Sequence, residues 1–237
     1  GYAFINKNFL AKILRLLILY SYSIFAKKSN SIFVFQNNDD KKLFLNHKIL
    51  KEKQSPIIPG MGVDLQKFSY NDRVFSKEDQ PIKVLFAGRL LIDKGIKEFL
   101  ELASKFQNRN FEFHISGKLD IENPNAINSE DFKSYLSQSN LIYHGHINFG
   151  KMFELYRDTD IFLLPSYREG FPKAAIEAAA MGHPLLMSNV PGCRDCIIEG
   201  FNGYLFENGD IKDMELQLLK ISDKSKLEYL SKNSRKH

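Results

Sequence analysis

Two carboxylates and two cations are the residues of this sequence best able to do chemistry. Glu169 and Glu177 stand eight positions apart, in the run L-L-P-S-Y-R-E-G-F-P at 163–172 and the run K-A-A-I-E-A-A-A-M-G at 173–182. Pro172 suits the first turn of a helix and Gly182 can end one, so both boundaries of a helix are marked. The helix between them is almost all alanine, methionine and isoleucine, which implies tight packing, yet Glu177 stands in its middle. A buried carboxylate must be paired or hydrogen-bonded to escape a large desolvation cost, and ribose hydroxyls are suitable donors. Glu169, just before the helix, is placed to accept hydrogen bonds from sugar hydroxyls or to stabilise positive charge developing at a sugar carbon. Gly170 lets the backbone approach a ligand closely. A plainer reading puts Glu177 on an exposed helix face and Glu169 in a solvated loop.

The cations are Arg89 and Lys94, in V-L-F-A-G-R-L at 84–90 and D-K-G at 93–95. The following helix is marked by an apolar stripe of Ile96, Phe99, Leu100, Ala103 and Phe106. Lys94 and Lys97 then fall near its amino end, where the dipole disfavours cations and welcomes anions. A phosphate held by backbone N–H groups, Arg89 and Lys94 would resolve that conflict, with arginine as a planar fork and lysine as a mobile point charge. Solvation of both side chains would explain them as well, and this loop alone names no ligand. The sequence has two cysteines, Cys193 and Cys196 in C-R-D-C, too few for a structural zinc site and late in the chain for a thioredoxin-like motif, so their expected role is structural or incidental. His144 and His146 alternate along an extended run and could mimic a metal pair.

These groups need a scaffold. With 43% hydrophobic and 26% charged residues the chain can bury a real core and lies far from disorder. A net charge of +5 favours anionic company. The lysines and arginines form no tract of five or six like charges and no nucleic-acid motif occurs, so no nucleic-acid partner is expected. The scarcity of cysteine agrees with a reducing cytoplasm. The charge-free apolar stretch at 16–26 is shorter than the roughly 20 residues needed to cross a bilayer, so no membrane-spanning segment is expected.

From Pro81 onward, apolar runs at 82–87, 111–116, 141–144, 160–165 and 184–188 alternate with helical patterns around 94–106, 129–138, 151–157 and 173–182. That alternation implies an α/β fold, a Rossmann-like parallel sheet with helices on both faces, which binds ligands at the carboxyl ends of its strands. Before it, Leu10, Ile13, Leu14, Leu17, Ile24 and Phe25 mark an amphipathic helix over 8–28, either a core or interdomain helix or a basic, aromatic surface resting on anionic lipid. An apolar run at 31–35 reads as extended, and 37–40 (N-N-D-D) can cap a helix that includes Phe44. Residues 56–62, with two prolines and two glycines, have linker composition. The expected division is 1–55, 56–80 as linker, and 81–237.

The pair Glu169 and Glu177 within E-G-F-P…E-A…G resembles the hallmark of the family-4 retaining glycosyltransferases of the two-Rossmann-domain (GT-B) type. Further matches follow in order: I-I-P-G-M-G-V-D at 57–64, A-G-R…K-G at 87–95, I-S-G at 115–117, H-G-H-I at 144–147, D-I-F-L-L-P-S at 160–166, V-P-G-C-R at 190–194 and G-F-N-G-Y-L-F at 200–206. The ordered set covers nearly the whole chain. V-F-Q-N-N-D-D at 34–40 and the opening Gly1-Tyr2-Ala3-Phe4 are similar to members that add galactose- or N-acetylhexosamine-type sugars in bacterial O-antigen, capsule or glycan assembly.

The resemblance implies that Arg89 and Lys94 bind the donor diphosphate, that Glu177 binds the nucleotide ribose, and that Glu169 with Gly170, Phe171 and Pro172 contacts the donor sugar and diphosphate. Gly88 belongs to the same donor site, and Gly117 and residues 144–147 would border the base. It assigns catalysis to Glu169, Arg89 and Lys94, with no metal or other cofactor, since the nucleotide sugar is itself a substrate. Residues 1–55 would be the tail of an acceptor-side Rossmann domain. Most of that domain and a final crossing helix are missing from the pattern, so the chain alone is expected to be poorly active or inactive. The implied reaction moves a hexose or N-acetylhexosamine from a nucleotide diphosphate, UDP by expectation, to a lipid-linked saccharide with retention of configuration, in the cytoplasm or peripherally at the membrane's inner face. The rivals are a non-catalytic nucleotide-binding remnant and a sugar-nucleotide epimerase or phosphorylase of the same architecture.

Overall fold

The computed structural model describes residues 8–27, 31–69, 75 and 80–236. The opening Gly1-Tyr2-Ala3-Phe4, most of 70–79 in the expected linker and the end of the expected first helix at Lys28 lie outside them. Within 80–236 six parallel strands form one sheet: β1 (Ile82–Ala87), β2 (Phe111–Ser116), β3 (Leu141–Tyr143), β4 (Ile161–Leu164), β5 (Leu185–Ser188) and β6 (Gly203–Phe206). Their order is β3-β2-β1-β4-β5-β6. The chain therefore runs outward from β1 to β3, returns to the other side of β1 with β4, and leaves a switch point between β1 and β4. Crossovers diverge there, and such crevices bind ligands. Register is continuous, from Ile82 opposite Phe111 through Ala87 opposite Ser116, and Leu164 faces Met187 on the other flank.

Helices cover both faces of the sheet. On one side α3 (Ile96–Lys105) buries Ile96, Phe99, Leu100 and Ala103, four positions of the expected stripe, and Phe106 just beyond it is equally buried. Phe99 packs edge-on against Phe113 of β2, and α7 (Ile211–Ile221) lies beside α3. On the other, α6 (Lys173–Ala180) buries Ala175 and Ala178 and meets α8 (Lys224–Ser234). The short α4 (Ser129–Tyr135) and α5 (Phe149–Asp158) complete the crossovers between β2 and β4. Pro172 is the N-cap of α6 and Gly182 takes φ +76° just past its end, as their residue types require.

Several expectations are corrected. The pattern around 94–106 is two elements: a 3-10 turn at Ile92–Lys94 and then α3, separated by Gly95 at φ +76°. Lys94 therefore lies just before the N-cap Gly95 and Lys97 in the first turn, so both cations stand near the amino end as expected. The strand β6 and the helices α7 and α8 are additions that the alternation did not include. Finally, the amphipathic helix exists as α1 (Phe9–Ala26), with Asn8 accepting from the Ala11 N–H as its cap, but its stripe is not sealed: Leu10 is 66% exposed and Leu17 59%, while Ala11, Leu19 and Ala26 are the buried positions. At 18 residues α1 is also long and apolar enough, by length and composition alone, to cross a membrane, because Phe9 to Arg15 extend the expected stretch. The extended run at 31–35 forms one parallel bridge, Phe35 with Ile57, rather than a strand. It leads into α2 (Asn38–Asn46), capped by the Asn37 side chain on the Asp40 N–H at 2.8 Å.

Candidate functional site

The loops after β1 and β4 meet at the switch point. Lys94 reaches across from the 3-10 turn and places its Nζ 2.6 Å from Glu169 Oε1 and 2.7 Å from Oε2. Ser166 Oγ donates to Glu169 Oε1 at 2.9 Å. Both charged side chains are largely enclosed, 21% exposed for Lys94 and 12% for Glu169. The two loops are tied by their backbones as well, since the Tyr167 N–H donates to the Asp93 carbonyl at 2.9 Å. Gly95 comes so close that a Cβ there would stand 1.9 Å from the Pro165 carbonyl oxygen. The turn carrying Lys94 and the loop carrying Glu169 therefore behave as one packed unit.

The remaining expected site residues lie in the loops after β1, β2 and β4 and in α6. Arg89 is exposed, and its guanidinium pairs with no described residue. Gly88 and Gly117 end β1 and β2 in contact, with a Cβ at Gly117 only 1.8 Å from the Gly88 carbonyl oxygen. The Gly117 N–H donates to Gly145 in the loop after β3 at 2.9 Å, which brings the 144–147 segment to the same edge. Gly170 offers its carbonyl to Asn37 Nδ2 at 2.8 Å. Phe171 packs under Gly60 of the I-I-P-G-M-G-V-D run, where a Cβ would meet its ring at 2.7 Å. Pro172 starts α6, and one turn further on Glu177 is only 5% exposed. The plainer reading, an exposed Glu177 beside a solvated Glu169, does not hold.

Glu177 differs from Glu169 in its partners. The Tyr156 hydroxyl on α5 donates to Glu177 Oε2 at 3.1 Å, and Lys173 Nζ lies 3.4 Å from Oε1. Burial, and then the charge of Glu177, push the Tyr156 phenol well above its ordinary pKa, so it stays a donor. Tyr156 and Ser166 are the polar partners that sequence reasoning missed as such. A donor for Glu177 was demanded by its burial, but nothing local indicated a tyrosine from the preceding helix.

Two further groups escaped the sequence. Tyr167 donates to Glu98 Oε1 at 2.5 Å, and burial, then that carboxylate, raise its pKa to about 12. His144, whose alternation with His146 could mimic a metal pair but whose favoured reading is structural, stacks on His114 of β2, with His114 Nδ1 and His144 Nε2 2.8 Å apart and Glu112 Oε1 2.6 Å from His114 Nε2. Among the described residues no three His, Cys, Asp or Glu side chains converge as a metal cage. Cys193 and Cys196 are both free and buried. Burial, and then the charge of Glu169, push the Cys193 thiol well up, and burial takes Cys196 to about 12, so neither offers the thiolate that redox chemistry needs.

The histidine pair gives a pH dependence. Burial lowers the His114 pKa against the opposing pull of Glu112, with His144 and Lys83 lowering it further, and burial also lowers His144. A histidine whose folded pKa lies below its unfolded value binds more protons when unfolded, so its contribution to stability is complete above about 6.5 and is lost as pH falls below that value. The thermal midpoint should therefore drop between roughly pH 7 and 5, and His114→Gln should flatten that slope. Parallel slopes for the two proteins would show that His114 is not the group responsible.

A six-stranded parallel sheet covered by helices, with the enclosed Lys94–Glu169 pair where the loops after β1 and β4 meet, is an α/β architecture of the kind that binds ligands at the carboxyl ends of its strands. The family model described as Glycosyl transferases group 1 matches residues 69–237, and the chain belongs to that family. It is 31% identical over 245 residues to N,N'-diacetylbacillosaminyl-diphospho-undecaprenol alpha-1,3-N-acetylgalactosaminyltransferase of Campylobacter jejuni, which covers 99% of this chain and 62% of that protein. It is 27% identical over 224 residues to UDP-Gal:alpha-D-GlcNAc-diphosphoundecaprenol alpha-1,3-galactosyltransferase of Escherichia coli, covering 90% of this chain and 56% of that one. The chain thus spans less than two thirds of these relatives' length, 62% and 56%. Among solved structures, a glycosyltransferase from Rickettsia africae superimposes with a TM-score of 0.77 at 18% identity, over 91% of this chain and 61% of its own. The shared fold is the GT-B glycosyltransferase fold.

Proposed function

We propose that the chain supplies the nucleotide-sugar site of a retaining glycosyltransferase that moves a hexose or N-acetylhexosamine from a UDP-sugar to a lipid-linked saccharide in bacterial surface polysaccharide synthesis. The observation that carries this reading is the enclosed Lys94–Glu169 pair at the switch point, with Arg89, which pairs with no described residue, following the same strand as Lys94. A diphosphate arriving there meets two cations, while Glu169 and Glu177 offer oxygens to sugar and ribose hydroxyls. Both reacting ends would be held by fixed charges, and departure of the diphosphate is helped most where those charges are already oriented. The relatives' names, one giving a UDP-Gal donor and both a diphospho-undecaprenol-linked acceptor, support the substrate classes. Retention of configuration rests on the family resemblance of the Glu169 and Glu177 pattern.

Contact with anionic lipid belongs to the same reading, supported by α1, which exposes Phe9, Leu10, Leu16 and Tyr20 and carries Lys12 and Arg15. The test is to supply the chain within its full-length enzyme with UDP-galactose, UDP-glucose and their N-acetylated counterparts, plus a polyprenyl-diphosphate-linked saccharide on anionic vesicles. Transfer from one donor with its anomeric configuration kept is the expected result. An inverted product, a soluble epimerised nucleotide sugar, or nucleotide binding without turnover would each replace the proposal, and enzyme that does not pellet with the vesicles would remove the lipid contact.

A further inference from the structure

The loop at 165–172 is held by residues far from it in sequence. Two arginines flank Glu169: Arg168 precedes it, and Arg194 lies in the loop after β5, which is bonded to Glu169 through the Glu169 N–H and the Pro191 carbonyl at 3.2 Å. Arg168 pairs with Asp40, and Arg194 Nη1 lies 3.2 Å from Asp39 Oδ2 while its Nη2 donates to the Asn189 carbonyl. Both aspartates belong to the first turn of α2, where the helix dipole already favours negative charge.

Between these two ion pairs sits Asn37, only 2% exposed and with its amide fully used. Its Oδ1 caps α2 on the Asp40 N–H, and its Nδ2 donates to the Gly170 carbonyl at 2.8 Å and to Asp40 Oδ2 at 3.1 Å. Gln36 completes the contact, its side-chain oxygen filling the space that a Cβ on Gly170 would take. One capped helix start therefore grips three points on two loops, and those points bracket Glu169. A half-exposed ion pair alone contributes little. Two pairs and a buried amide closing on the same loops, from residues about 130 to 155 positions away in sequence, constrain geometry far more than they add stability.

We propose that the start of α2 is a clamp that sets the position of Glu169: Arg168 and Arg194 are positioning residues held by Asp40 and Asp39, not ligands of a donor phosphate, and Asn37 fixes the Gly170 carbonyl between them. Through this clamp the 31–58 segment and the donor loop hold one another in place, so a shift of one is felt by the other. The naming of 165–172 as a donor loop rests on the proposed function; the clamp itself does not.

The test is a double-mutant cycle with Asp40→Asn and Arg168→Gln in this chain, read by amide hydrogen exchange of peptides covering 165–172, with the amides of β1 as internal reference. Each single change should speed exchange of 165–172 by roughly tenfold, and the double variant should differ from either single by less than about threefold, as expected for groups acting through one contact. Asp39→Asn should do the same, more weakly, to 189–196. Unchanged exchange in the singles, or effects that multiply in the double, would overturn the clamp. So would faster exchange in β1 as well, which would make the pair general scaffolding. A parallel titration separates this from the proposed function: with the clamp loosened, affinity for a UDP-sugar should fall by roughly tenfold while that for UDP, which lacks the group Glu169 touches, changes less than about threefold. A chain that passes the exchange test yet binds neither ligand would keep the clamp and lose the donor reading.

Discussion

In the full-length enzyme, Lys94→Ala is expected to lower sugar transfer by about 10²- to 10³-fold, with donor affinity falling by no more than about tenfold. The Lys94 amine stands within 2.7 Å of both oxygens of Glu169, in a site that excludes most water. When a diphosphate enters, that amine can turn part of its charge to the departing phosphate while Glu169, relieved of it, turns to the sugar. On the proposed function that interaction would grow as the sugar–phosphate bond breaks, so its loss is expected to fall mainly on the rate. The alanine variant also leaves the Glu169 carboxylate with Ser166 as its hydrogen-bonding side chain, an underpaired charge in an enclosed place. Lys94→Arg should not rescue, because a planar fork cannot set one charge between two oxygens of Glu169 in the same volume. Steady-state kinetics across a range of donor concentrations separates the two effects, and turnover within about threefold of the unmodified enzyme would remove Lys94 from the chemistry.

How far the sequence reveals this site follows from which forces are local. Alternating apolar runs announce strands and helices because burial has a period, and five of the six strands and the α3 stripe follow from it. The sixth strand was not among the alternating runs; it begins with Gly203, which has no side chain to add to an apolar pattern and packs its backbone against that of Leu185. The helix α7 did carry a signal, Asp210 capping a helix with Met214, Leu218 and Ile221 buried on one face. The carboxylates and cations were legible as types, but their partners were not. Lys94 meets Glu169 across 75 residues and Asp40 meets Arg168 across 128. His114 meets His144 through strand register, which one sequence does not fix. A pairing of that kind is a property of the fold and becomes visible only once the strands are ordered.

Gly95 shows where such a fold-level demand does leave a trace in the sequence, and Gly95→Ala is expected to have the largest effect on stability. Its φ of +76° belongs to the left-handed region, costing a side chain about 1–2 kcal/mol. A Cβ would also stand 1.9 Å from the Pro165 carbonyl oxygen and 2.7 Å from the Pro165 ring. Relieving that clash must move backbone, which typically adds about 1–3 kcal/mol. The sum, roughly 2–5 kcal/mol, is a large part of the stability of an ordinary domain and should appear as a lower urea midpoint. Gly150 in α5 is the contrast: nothing lies within 4 Å of a Cβ there and its φ is not positive, so alanine should leave the midpoint unchanged or raise it slightly. The Gly95 clash is directed at the residue that opens the Glu169 loop, so any variant that still folds should separate Lys94 from Glu169 and lose activity beyond its loss of stability. A Gly95→Ala protein with an unshifted midpoint and full activity would mean that the close approach of these two loops is not what sets the pair.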